Sequence, residues 1–147
     1  MKLTQLAVSI ENNPRRLYEV THALGQAGIN LRALNLVDTG LWGQLRLLVS
    51  DVAKARRILM EMQVPAQVSE VVAVEIEDRP GSLARLLKVL LDHDVKVIYT
   101  YAYVGMSAGN AVMIFCFSDN DKAVDVLKQT GASLLDADSF GIIENGT

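Results

Sequence analysis

The segment Asp78-Arg79-Pro80-Gly81-Ser82-Leu83 holds the residue types in this chain best suited to gripping a small charged molecule. An alternating apolar run precedes it and an apolar run with helical spacing follows, so it sits where a strand gives way to a helix. The first N–H groups of a helix have no partner inside it, and the helix dipole leaves a partial positive charge there. A carboxylate fits such a position. Gly81 lets a ligand come close to the backbone, Ser82 adds a hydroxyl, and Asp78 can accept hydrogen bonds from an ammonium group. Those features match the two ends of a zwitterion. The same residues can also serve only to start a helix, with Asp78 as its cap.

The rest of the chemical inventory is thin. His22 and His93 stand far apart, each in a segment patterned as an amphipathic helix. Neither HExxH nor CxxC spacing occurs, so no metal site and no cofactor are expected. No serine has a G-x-S-x-G setting, and no catalytic residue is assigned. The glycine-rich stretch Gly105–Gly109 should join two strands with no helix after it, and reads as a hairpin turn. The pairs Asp92/Asp94 and Asp119/Asp121 fall at element ends, where they cap and solvate. Cys116, the single cysteine, lies in an apolar run and reads as a small core side chain.

The formal charge of the 147 residues is −3. A mildly acidic chain without a basic stripe argues against nucleic-acid binding. Apolar runs are broken by charges too early for a membrane span, and the first residues lack the pattern of a signal peptide. A cytoplasmic protein is expected.

The elements that position the segment are duplicated. Ile10-Glu11-Asn12-Asn13-Pro14 aligns with Ile76-Glu77-Asp78-Arg79-Pro80, and the offset carries Leu17 onto Leu83, Leu24 onto Leu90 and Leu31 onto Val97. Ser50-Asp51 and Lys54-Ala55 match Ser118-Asp119 and Lys122-Ala123, so the second copy has gained residues in between, placed at Gly105–Gly109. The seam falls near Ser69-Glu70, giving modules over 1–69 and 70–147 with almost no linker.

Each copy reads as βαββαβ. In the first, Leu6, Val8 and Ile10 alternate as a strand. Pro14 opens a helix with Leu17, Val20, Thr21 and Leu24 on one face, and Gly28 ends it. Strands over Ile29–Val37 and Gly43–Val49 follow, then a helix with Ala55, Ile58, Leu59 and Met62 inward, and a short strand at Ala66–Ser69. The second copy repeats this order, with a helix over Pro80–Asp92 and a last strand over Ser133–Ile142. The fold class is therefore α+β: two ferredoxin-like modules, antiparallel sheets with the helices on one face. In the second copy Val112, Ile114 and Cys116 point one way, and Ala111, Met113, Phe115 and Phe117 the other. Tyr99, Tyr101 and Tyr103 share one face. Strands apolar on both sides call for cover on both sides, from the other copy or a second chain, and a homo-oligomer is expected.

Taken with the repeat, the chain resembles the ACT domain, a regulatory module that binds amino acids in enzymes of amino-acid metabolism. The family pattern is a strand, Asp/Asn-x-Pro-Gly-x-Leu, a helix, then Gly-x-Asn-Ile opening the second strand. The second copy supplies Asp78 to Leu83, and the first supplies Gly28-Ile29-Asn30-Leu31. The resemblance implies a stand-alone regulatory protein whose ligand, a free amino acid, is held where one module faces the second strand of another. Asp78, Arg79, Gly81, Ser82 and Leu83 would then meet Asn30 and Leu31. A reciprocal pocket would join Asn12, Asn13, Arg15 and Leu17 to Lys96. Leu31, Leu83 and Tyr99 lean it toward an apolar or aromatic amino acid. Both copies depart from the pattern. Arg15 stands where the motif glycine belongs, either closing the site or offering its guanidinium to a carboxylate. Asp94-Val95-Lys96 replaces Gly-x-Asn, and Lys96 cannot accept a hydrogen bond. Unequal sites are expected.

With no catalytic domain in the chain, any output passes through a partner, expected to be an enzyme of amino-acid metabolism. Two alternatives stay open. One is an assembly module whose ligand site has decayed. The other is a hydrolase resembling acylphosphatases, for which Arg15, Arg16 and Asn35 are the nearest candidates, although their surroundings do not match that family.

Overall fold

The computed structural model describes residues 1–104 and 109–144. The turn expected at Gly105–Gly109 lies outside the described residues except for Gly109. The chain divides into two compact units, one of Thr4–Ser69 with Ala137–Thr147, the other of Met1–Leu3 with Glu70–Asp136.

In the first unit, β1 (Leu3–Glu11), of which Thr4 onward lies in this unit, leads to α1 (Pro14–Gln26), β2 (Leu31–Asp38), β3 (Trp42–Val49) and α2 (Val52–Glu61). β3 is the central neighbour, antiparallel to β1 (Val8 opposite Leu45) and to β2 (Leu36 opposite Leu45). Leu6, Val8, Ile10, Leu45 and Leu47 are buried, as are Val20 and Leu24 of α1 and Ala55 and Leu59 of α2. This is the period-two and period-3.6 pattern of the sequence made solid. Leu17, Thr21, Ile58 and Met62 flank that core half-buried.

In the second unit, β4 (Gln67–Glu77), of which Glu70 onward lies in this unit, is followed by α3 (Ser82–Asp92), β5 (Val97–Val104), β6 (Asn110–Phe117), α4 (Asn120–Gln129) and β7 (Ser133–Leu135). The order across the sheet is β5-β6-β4-β7, all antiparallel, with Tyr101 opposite Ile114, Val74 opposite Met113 and Val74 opposite Leu134. This is the split βαβ arrangement. One face packs under α3 and α4 through Val72, Val74, Met113, Phe115, Phe117, Leu86, Leu90 and Leu127. On the opposite face Val112 and Ile114 are also buried, at 1% and 0% exposed. The tyrosine stripe of β5 lies on that face, half-buried beside them. Lys2 ties the first residues to this unit, 2.7 Å from Asp121 and 3.1 Å from Glu70. The hydrogen bonds from Lys2 hold the Asp121 carboxyl below its ordinary pKa, and those to Asp121 and Glu70 raise that of Lys2.

Three elements differ from the sequence reading. β4 is one strand of 11 residues with no break at Ser69-Glu70. It contains neither glycine nor proline, and Val68, Val71, Val72, Val74 and Ile76 favour extended backbone. α3 starts at Ser82, because Gly81 takes a left-handed conformation (φ 89°) and leaves Pro80 in the turn before it. The strand expected over Ser133–Ile142 stops at Leu135 and gives way to a short helix, α5 (Ala137–Phe140). Gly141, at φ 66°, closes α5, with Ile142 donating to the Ala137 carbonyl at 2.9 Å.

The segment after α5 belongs to the first unit. Ile143 pairs in parallel with Asp51, donating to the Ser50 carbonyl at 2.8 Å and accepting from Val52 N–H at 2.9 Å. Phe140 and Ile142 are buried. The Arg32 guanidinium donates to the Gly141 carbonyl through Nε at 3.3 Å and Nη2 at 3.2 Å.

Candidate helix-start ligand site

The two strand-to-helix loops that align in sequence are built differently. In the second unit β4 ends at Glu77, and the Asp78 amide donates to the Gly109 carbonyl at 2.9 Å. A tight turn follows, with Ser82 N–H donating to the Arg79 carbonyl at 3.2 Å. The left-handed Gly81 then turns the chain into α3, whose first helical bond runs from Arg85 N–H to the Gly81 carbonyl at 3.0 Å. No side chain caps this helix. The amides of its first turn are thus free of the carboxylate or hydroxyl that usually occupies such a place.

Ser82 is 8% exposed, and its Oγ accepts from Arg85 Nη2 at 3.1 Å, which leaves the hydroxyl hydrogen available to donate. A Cβ placed on Gly81 would stand 3.2 Å from Arg85 Nη1. The guanidinium therefore sits over the bare helix start. Among the described residues the exposed Asp78 side chain bonds to nothing, and Arg79 pairs with Glu77 at 3.3 Å. Ser82 and Arg85 also line a cleft of about 640 Å³ with Glu75, Ile76, Glu77 and the turn Thr130–Ser133. Leu83 is half-buried against the core.

In the first unit the equivalent helix start is closed. Asn13 is its cap, with Oδ1 accepting from Arg16 N–H at 2.8 Å, and Pro14 occupies the first helical position. Arg15 stands where the motif glycine would be. Its side chain is 89% exposed, and its Nε donates to Glu19 Oε1 at 2.8 Å. Arg16 Nη1 reaches the other oxygen of Glu19 at 3.1 Å. Hydrogen bonds from Arg15 first, then Arg16, hold the Glu19 carboxyl below its ordinary pKa. Asn12 lies against Gly43, whose Cβ would come within 3.3 Å of Asn12 Oδ1. Leu17 is half-buried.

The strand starts differ less. Asn30 N–H donates to Ser50 Oγ at 2.8 Å, and its carbonyl accepts from Ser50 N–H at 2.9 Å. Its side chain is left exposed, and Leu31 beside it begins β2 half-buried. In the second unit the Lys96 carbonyl accepts from Ser118 N–H at 2.9 Å, and the lysine side chain is exposed. Asp94 adopts φ 56° where Gly28 has φ 78°. Asp tolerates this region better than most residues, so the backbone turn survives the loss of the glycine while the asparagine side chain does not.

Arg85 is the site residue the sequence reading missed. Its signal is its spacing from Gly81 and Ser82, which puts its side chain one helical turn along, back over the helix start. Among the described residues, no group of three His, Cys, Asp or Glu side chains gathers to hold a metal ion. No described helix is long and apolar enough to cross a membrane.

Paired split-βαβ modules with a glycine turn opening the first helix of one of them define a class of fold and loop. The chain belongs to the family of the ACT domain pair, whose model matches residues 1–138. Among solved structures it is similar to the protein BT0572 from Bacteroides thetaiotaomicron, at 32% identity and TM-score 0.90, over 97% of this chain and 98% of that one. It also shares the fold of the regulatory subunit of aspartate kinase from Thermus thermophilus, at 14% identity and TM-score 0.60, over 86% of this chain and 91% of that one. The same subunit from Thermus flavus gives 14% identity and TM-score 0.59, over 87% of this chain and 92% of that one. No curated protein matches the chain.

Proposed function

We propose that this protein is an amino-acid-binding regulator whose main ligand site is built on the start of α3. The observation that supports this reading is the contrast between the two helix starts. One is capped by Asn13 and carries Arg15, tied to Glu19. The other has Gly81, no cap, a hydroxyl at Ser82 and the Arg85 guanidinium. A ligand carboxylate accepts from the first-turn amides, Ser82 and Arg85, charge-assisted hydrogen bonds of the stronger kind. The ligand ammonium donates to Asp78. Asn30 and Leu31 from a neighbouring module close the site, with the side-chain preference apolar or aromatic. The reciprocal set of Asn12, Asn13, Arg15, Leu17 and Lys96 is the weaker one, because its helix dipole is already occupied and Lys96 repels an ammonium group.

The protein works in the cytoplasm as a homo-oligomer and passes its signal to an enzyme of amino-acid metabolism, in the manner suggested by the regulatory subunits of aspartate kinase that share its fold. Ligand binding can drive such a switch only by its differential affinity for two states. A thermal-shift screen of the twenty common amino acids at millimolar concentration tests the reading. A ligand present at a hundred times its Kd adds about 2.7 kcal/mol of apparent stability, which is several degrees in Tm for a chain of this size. The expected result is a rise for one or a few amino acids, lost in Gly81→Arg. If none of the twenty shifts the melt, the assembly-module reading replaces this one.

A further inference from the structure

The segment Ala137–Glu144 lies on the first unit without being part of its repeat. β1, α1, β2, β3 and α2 belong to the first copy of the sequence, whereas this segment closes the second. It is anchored by the isolated parallel bridge at Ile143, by Arg32 on the Gly141 carbonyl, and by the Thr4 hydroxyl donating to the Glu144 carboxylate. Phe140 and Ile142 are buried, but Asp138, Ser139, Gly141 and Ile143 are exposed. A segment with few buried apolar side chains opens locally at less cost than a core strand does.

Its docking point is the start of β2. Ser50 is shared between the two. The Ser50 hydroxyl accepts from Asn30 N–H at 2.8 Å, and the Ser50 N–H donates to the Asn30 carbonyl at 2.9 Å. The Ser50 carbonyl accepts from Ile143 N–H at 2.8 Å. One residue thus bonds both Asn30 and the end of the chain. Val52 N–H, at the start of α2, donates to the Ile143 carbonyl at 2.9 Å.

A bulge supplies the other tie. β2 pairs Leu31 with Val49 and Ala33 with Leu48, so Arg32 is the extra residue between them. A bulge re-aims the side chain at that point, and here the guanidinium meets the Gly141 carbonyl. β5 has the same irregularity between Val97 and Tyr99. Its extra residue is Ile98, 54% exposed, whose side chain has no donor to offer. Gly141 fits the contact. It adopts φ 66°, and a Cβ there would stand 2.9 Å from Arg32 Nη2.

We infer that residues 137–144 form a regulatory clasp, which by docking on Ser50 and Arg32 holds the start of β2, and with it Asn30, in one conformation. Closure of the clasp and occupation of Asn30 by a ligand then favour each other by the same factor. This coupling rests on the reading that Asn30 meets a ligand, whereas the hold on Asn30 does not.

Amide hydrogen exchange of the full-length protein, read residue by residue by NMR, is the test. Without ligand, Val52 and Ile143 should exchange together, about tenfold or more faster than Leu45 and Leu47 in β3. Arg32→Ala and Gly141→Ala should each speed both amides about tenfold, as loss of a charge-assisted bond does. Asn30 and Ser50 should speed with them, while Leu45 and Leu47 keep their rate. Arg32→Lys, which keeps a donor for the carbonyl, should fall in between. An amino acid that raises the melt should slow Val52 and Ile143 about tenfold or more near saturation. The inference is overturned if Val52 and Ile143 exchange as slowly as β3, if either alanine variant leaves them unchanged, or if Asn30 and Ser50 keep their rate when the clasp is loosened. If no amino acid binds, the proposed site and the coupling fall together, and the alanine variants alone decide the hold on Asn30. If one binds without slowing Val52 and Ile143, the site stands and the coupling is lost.

Discussion

At the scale of single residues, the two halves of the repeat have diverged at the positions that matter for holding a charge. Asn13 closes the start of α1 through its bond to Arg16 N–H, while Gly81 leaves the start of α3 open. Replacing a good N-cap by alanine costs about 1 kcal/mol. Asn13→Ala should therefore lower the unfolding free energy by that amount, read as a lower urea midpoint at an unchanged slope, and an unchanged midpoint would mean that the cap bond contributes nothing. The sequence showed Pro14 and Gly81 as helix openers but not their different roles. Pro14 sits inside its helix, whereas Pro80 stays outside, and the choice turns on the φ of the residue that follows. Asn13 was legible as a motif position and not as a cap, and Arg85 was legible as a helix residue and not as a lid over Gly81. The cap depends on the rotamer of Asn13, and the place of Arg85 over Gly81 on its rotamer as well as its spacing.

At the scale of elements, the repeat carried most of the fold. Strand alternation and helical spacing are local signals, and the described elements from β1 through α4 follow them, apart from the unbroken run of β4 and the later start of α3. The end of the chain did not follow. Ser133–Ile142 has the apolar content of a strand, but Asp136, Asp138 and Ser139 favour a helix start and Gly141 ends it. Short helices are set by such terminal signals and by the burial of Phe140 and Ile142, which no period reveals. The turn between α2 and β4 gives a prediction at this scale. Gln63 in a left-handed conformation costs on the order of 1 kcal/mol relative to an unstrained residue. Gln63→Gly should raise the stability of the protein by up to about that amount in denaturant unfolding, offset in part by the greater freedom of glycine in the unfolded chain. A loss of stability would show that the glutamine side chain contributes packing that outweighs its strain.

At the scale of the whole molecule, charge and composition narrowed the function before any geometry was known. The net charge of −3 left no basic stripe for phosphates, and the apolar fraction of 50% supports buried cores in two small modules. What composition could not supply is the inequality of the two helix starts, which follows from one cap, one glycine and one arginine. Coupling of such a site to a partner requires that ligand binding favour one state of the molecule over another.

The central claim is that the bare start of α3 receives a carboxylate. Backbone amide resonances of the 15N-labelled protein, followed while each of the twenty common amino acids is added, test it most directly. The account predicts that at least one of them moves the amides of Gly81, Ser82, Leu83 and Ala84 together along a single saturable curve. It is contradicted if these four amides stay still through all twenty titrations.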